Sequence, residues 1–215
     1  MMIKGVLFDF DGTLTLPGAL DFPAIKRVLG CPLEHPILEF IALQPPDQRS
    51  ELLKMLEEQE DLAAGTSLPN RGAERCLQVL KDKQMPMGIV TRNSLRSVRR
   101  ALEQFERIAI EDFVAVVTRE VSLPKPHPQG VLEGARRMGL VPAEVAVVGD
   151  FRFDVMSGKR AGAVAILLTN GGVSVMAPDD PEPDYIIGHL DELPALLDRH
   201  PCEACIRSSK LKAQS

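Results

Sequence analysis

The chain has 215 residues, 45% of them hydrophobic, with a formal net charge of -5 and a pI near 5.5, enough to bury a core as one globular unit or two joined ones. Aromatic residues make up 4% and tryptophan is absent, which argues against a stacking platform for nucleic acid, and the acidic balance offers no general field for a polyanion; the expected partner is a small anion recognised locally, with no nucleic acid and no membrane. No apolar stretch approaches the roughly 20 residues needed to cross a bilayer, and the opening Met1-Met2-Ile3-Lys4 with the sparse cysteines Cys31, Cys76, Cys202 and Cys205 points to a reducing cytoplasm.

Short apolar runs recur along the chain: Ile3 to Phe10, Met87 to Thr91, Val114 to Thr118, Val145 to Val148, Val164 to Leu168 and Tyr185 to Ile187. Each is bounded by polar or turn residues and reads as a buried parallel strand. Between them Ala73, Cys76, Leu77 and Leu80 repeat at helical spacing, as do Val98, Ala101, Leu102 and Phe105, and Val131, Leu132, Ala135 and Met138. Strands alternating with helices predict an α/β fold, a doubly wound parallel sheet.

One stretch breaks the alternation. From Thr15 to Asn70 the pieces Phe22 to Leu29, Pro36 to Ala42 and Asp47 to Ala64 are helical in pattern, with Pro17-Gly18 before them and a Gly65 to Gly72 segment after. The predicted division is therefore an α/β core of residues 1–14 and 71–200, a small helical cap at 15–70, and a loosely ordered tail at 201–215.

The first strand runs into Asp9-Phe10-Asp11-Gly12-Thr13-Leu14. Residues two apart on a strand share a face, so Asp9 and Asp11 are expected to project together at the carboxyl edge of the sheet, where open α/β sheets bind ligands. Crowded carboxylates need a cation or a proton. Asp150, after the later run Val147-Val148-Gly149, and Asp154 add oxygen donors, which favours Mg2+ over zinc. Lys125, flanked by Pro124 and Pro126, would present an ammonium on a stiff loop. Thr91 ends a strand, and Arg92-Asn93-Ser94 opens a helix whose free amides would favour an anion.

These elements, in order, resemble the four motifs of the haloacid dehalogenase superfamily, and the insertion between the first two resembles the cap of its phosphoglycolate phosphatase and β-phosphoglucomutase branch. The resemblance implies a phosphoric monoester hydrolase in which Asp9 is the nucleophile that becomes an aspartyl-phosphate and Asp11 is the general acid and base. It further implies magnesium on the Asp9 carboxylate, the Asp11 backbone carbonyl and Asp150, with Asp154 either ligating through water or orienting Lys125. Thr91, Arg92 and Lys125 would then bind the substrate phosphate. Phe151 departs from the small polar residue that members more often carry directly after the aspartate at the Asp150 position.

Plainer readings stand beside these. Asp154 alone could be a helix cap, Arg96, Arg99 and Arg100 a solvated face, and Cys202 and Cys205 a chance pairing. A phosphomutase using the same aspartyl-phosphate, a phospho-receiver and a silent binding module are the rival functions.

Overall fold

In the computed structural model, which describes residues 2–199, six strands form one wholly parallel sheet. They are β1 (Gly5–Phe8), β2 (Met87–Val90), β3 (Ala115–Val117), β4 (Val145–Gly149), β5 (Val164–Leu168) and β6 (Tyr185–Ile187), in the order β3-β2-β1-β4-β5-β6. The strand order reverses at β1, whose register sets Phe8 beside Ile89 on one side and Val148 on the other. A crevice opens at such a switch point, beyond the carboxyl ends of the central strands. The tail expected at 201–215, with Cys202 and Cys205, lies outside the described residues.

Helices cover both faces of the sheet, which is why its strands are continuous apolar runs rather than alternating ones. On one face α4 (Ala73–Asp82), α5 (Leu95–Leu102) and α8 (Leu193–Asp198) bury Cys76, Leu77, Leu80, Val98, Leu102 and Leu193 against Phe8, Ile89, Val148 and Ile166. On the other, α6 (Gln129–Arg137) sets Val131 and Ala135 against Leu7, Val117 and Val147, and α7 (Arg152–Ala161) sets Val155 against Ala165 and Leu167. The periodicity misassigned Leu132, which is exposed. Val131 and Ala135 already fill the contact four residues apart, and Leu132 turns off that stripe.

Residues 15–70 carry no strand. They fold as α1 (Phe22–Leu29), α2 (Ile37–Ala42) and α3 (Pro46–Ala64), whose Ile25, Leu29, Ile37, Ile41 and Leu56 form a separate apolar cluster. Helix α1 starts where Asp21 accepts from the Ala24 amide at 3.0 Å and stops at Gly30, which has φ of 65°. The two connections to the sheet run side by side: Thr15 and Pro69 form an antiparallel bridge, and the Leu16 amide donates to the Leu68 carbonyl at 2.9 Å.

Four ion pairs join these helices to the sheet's helices and loops. Arg119 donates to Glu60 at 2.5 Å, Arg92 meets Glu39 at 2.6 Å, and Arg100 and Arg96 share Asp61. The arginines read as a solvated face are thus partly used: Arg96 remains largely exposed, while Arg100 is fixed on α3.

Candidate active site

Strand β1 ends at Phe8, one residue before the first aspartate. The chain then turns, with the amides of Thr13, Leu14 and Thr15 all donating to the Phe10 carbonyl. Strand periodicity therefore does not place Asp9 and Asp11 together; the turn does, and it sends them to different partners. The Asp9 carboxylate meets the Lys125 ammonium at 2.6 Å, while Asn93 Nδ2 donates a short hydrogen bond to Asp11 Oδ2.

Lys125 is buried between two carboxylates, Asp9 at 2.6 Å and Asp154 at 2.5 Å. Burial alone would lower its pKa, but Asp154 and Asp9 outweigh that and hold the ammonium above its ordinary value. Asp154 also accepts from the Phe151 amide at 3.1 Å through its other oxygen. Asp154 thus stands at the third position of α7, where it accepts from the amide of the cap residue Phe151, and is ion-paired with Lys125. Phe151 contributes that amide to the site while its ring stands half exposed against Phe153, with centroids 5.1 Å apart. A backbone contribution explains how an aromatic residue fits where a small polar one is more usual.

Asp9, Asp150 and Asp154 bring carboxylate oxygens within 4.8 Å of one another. Asp150 also accepts from Thr13 Oγ1 at 3.1 Å. Burial, and next the charge of Asp9, pushes Asp150 up to about 8 and Asp11 up to about 7; the same two causes raise Asp154 to about 6 against the pull of Lys125. One ammonium does not balance this many buried carboxylates. The donor set, all oxygen and short of positive charge, suits a hard divalent cation. Two glycines let these carboxylates lie close to the backbone: a Cβ on Gly149 would stand 2.1 Å from Asp154 Cγ, and one on Gly12, where φ is 73°, would stand 2.3 Å from Asp150 Oδ2.

Thr91 follows β2, buried, and its Oγ1 accepts from the Asn93 amide at 3.1 Å. Arg92 is not free. Its guanidinium holds Glu39, donates to the Lys125 carbonyl and lies 5.3 Å from the Phe153 ring centroid. Of the amides that open α5, those of Ser94 and Leu95 donate to Glu60 and Glu120, each at 3.3 Å. Glu60 and Arg119 are neighbours of the site that periodicity and motif reading did not single out, and Asn93 enters that reading only for its backbone amide, not for the side chain that reaches Asp11. Their side chains bond partners 27 to 82 positions away, and only the polar Asn93, two residues beyond Thr91, offered a local signal.

The description "haloacid dehalogenase-like hydrolase" fits residues 17–168 as a family model. The chain belongs to that family. A Saccharomyces cerevisiae protein called an uncharacterized hydrolase is 34% identical, the match covering 78% of each chain. Phosphoglycolate phosphatase of Escherichia coli K12 is 33% identical, covering 90% of this chain and 92% of its own. Among solved structures, a hydrolase from Pseudomonas syringae superposes with a TM-score of 0.77 over 93% of this chain and 100% of that one, at 20% identity. As a haloacid dehalogenase-like hydrolase, the protein is an enzyme, and its aspartate cluster lies just beyond the carboxyl ends of β1 and β4. No described helix is long and apolar enough to cross a membrane.

Proposed function

We propose that this hydrolase is a magnesium-dependent phosphatase that cleaves a small phosphate monoester through an aspartyl-phosphate on Asp9. The observation that carries the reading is the divergence of two carboxylates in one turn. Asp9 is paired with an ammonium, whereas Asp11, partly buried near Asp9, is raised to about 7 and so can hold a proton near neutral pH. Adjacent carboxylates with such different surroundings suit a nucleophile and a general acid.

In the first step a carboxylate oxygen of Asp9 attacks phosphorus, the ester P–O bond breaks, and Asp11 gives its proton to the departing oxygen. In the second, Asp11 as carboxylate takes a proton from water, the water oxygen attacks phosphorus, and the bond to Asp9 breaks, releasing phosphate and restoring both residues. Lys125 and the Thr91 hydroxyl hold phosphoryl oxygens, and Asp154 keeps Lys125 in place. Magnesium on Asp9, the Asp11 carbonyl and Asp150, with Asp154 behind them, would neutralise charge on the phosphoryl group. Arg92, in this reading, exchanges Glu39 for an anionic group of the substrate.

Helices α1 to α3 are proposed to act as the cap, which favours a metabolite over a phosphoprotein because a cap of this kind can close over a small substrate and exclude water. The name of the Escherichia coli relative makes 2-phosphoglycolate the first metabolite to test. The buried free thiols Cys31 and Cys76 suit the cytoplasm as its setting. Phosphate release from an aryl phosphate, with and without magnesium, tests the reading. Wild type is expected to turn over only with the metal and Asp9→Asn to lose at least about a thousandfold in kcat; turnover by Asp9→Asn at the wild-type rate would remove the aspartyl-phosphate.

A further inference from the structure

The turn that carries Asp9 and Asp11 leaves two carbonyls, those of Gly12 and Thr13, pointing away from its own hydrogen bonds. Buried carbonyls need partners, and here they come from two side chains far away in sequence. Asn70 Nδ2 donates to the Thr13 carbonyl at 2.8 Å, to the Gly12 carbonyl at 3.1 Å and to Asn170 Oδ1 at 2.9 Å. With two N–H groups for three acceptors, one of these is shared. Asn170 Nδ2 donates to the same Gly12 carbonyl at 2.8 Å.

Each asparagine is itself fixed. Asn70 is buried, its Oδ1 accepts from the Arg71 amide at 2.7 Å, and its own amide donates to the Leu14 carbonyl at 2.8 Å. Asn170 follows β5 with φ of 53°, a left-handed conformation that few residues other than glycine and asparagine adopt readily. Three segments, the first turn, the connection returning from α3 and the loop after β5, are therefore tied at the Gly12–Thr13 peptide.

That peptide matters because the Thr13 hydroxyl donates to Asp150 Oδ1 at 3.1 Å and Thr13 is wholly buried. We infer that Asn70 and Asn170 are positioning residues which, by clamping the Gly12–Thr13 peptide, set the Thr13 hydroxyl and through it the Asp150 carboxylate for a divalent cation. The inference rests on the metal site proposed above. Neither asparagine touches the substrate or the cation; their effect is on how well the carboxylate is aimed before the cation arrives, and partners of metal ligands typically alter affinity about 10–100-fold.

The test is calorimetric titration of the full chain with magnesium chloride alone, with melting temperatures recorded in parallel. Asn170→Gly removes the amide while keeping a residue suited to the left-handed backbone, and is expected to weaken magnesium binding about tenfold with its melting point little changed. Asn70→Ser, whose side chain is too short to span the same acceptors, should weaken it in the same direction. Thr13→Val should do so too, and Asn170→Gly/Thr13→Val should be no weaker than Thr13→Val alone by more than about twofold, since both act on one carboxylate. Asp150→Asn separates the two failures. If Asp150→Asn abolishes binding while Asn170→Gly and Asn70→Ser leave it unchanged, the clamp is wrong and the site stands. Losses that multiply in the double variant overturn the route through Thr13. Magnesium binding that survives Asp150→Asn overturns the site reading and the clamp with it.

Discussion

Gly149 ends β4 and lets the chain turn so tightly that the Asp154 carboxylate folds back over it. Its φ is not left-handed, so the demand for glycine there is purely one of space. A methyl group 2.1 Å from Asp154 Cγ has no room unless Asp154 moves, and moving Asp154 takes Lys125 with it. Gly149→Ala is therefore expected to cost about 1–3 kcal/mol in urea denaturation and to lower kcat about a hundredfold by displacing the ammonium from Asp9. A variant as stable and active as wild type would show that Asp154 is free to relax and does not set Lys125. The residues in this small cluster were legible in the sequence because each follows an apolar strand or sits between prolines. Asn93, Asn70 and Asn170 were not: an amide that bonds a residue 58 or 82 positions away leaves no periodic trace.

Among the elements, α3 is the one whose attachment ties helices α1 to α3 to the sheet's helices and loops. Its outward-facing residues give it weak amphipathic character, and near its C-terminal end it buries two acids, Glu60 and Asp61, beside the apolar Ala64. Glu60 is 6% exposed and Arg119 10%, and Ser94 and Ser97 complete the carboxylate's partners. Removing one member of such a pair strands the other in a poorly solvated place. Arg119→Met should accordingly lose about 3–5 kcal/mol, whereas Arg96→Ala, whose side chain is 69% exposed, should lose less than about 1 kcal/mol. Urea titrations of both variants check the contrast, and equal losses would mean that the α3 contact is governed by packing alone. Helical spacing located α1, α2 and α3 and their order. It could not show which arginines of α5 reach across, because Arg96, Arg99 and Arg100 share one pattern and differ only in what stands opposite.

For the whole molecule, a parallel sheet covered on both faces follows from strand runs without alternation, and the doubly wound order follows from helices between them. What the pattern could not carry is the electrostatic cost of gathering the site. Asp11, Asp150 and Asp154 rise from an ordinary 3.8 to about 7, 8 and 6, burial being the first cause and Asp9 the next. For an acid whose pKa is raised on folding, the folded chain binds more protons than the unfolded one between the two values. Stability from these groups therefore falls as pH climbs from about 4 to about 8. A divalent cation on the cluster takes the place of those protons, so the stabilisation it gives must grow over the same window. Melting curves with and without saturating magnesium should nearly coincide at about pH 5 and separate at about pH 8, by about 2–4 °C for each kcal/mol gained. A gap that is constant with pH, or wider in acid, would mean that the cation binds away from these carboxylates. Asp150→Asn, by removing one of the charges that the cation offsets, should flatten the metal-free curve and close the gap at the alkaline end.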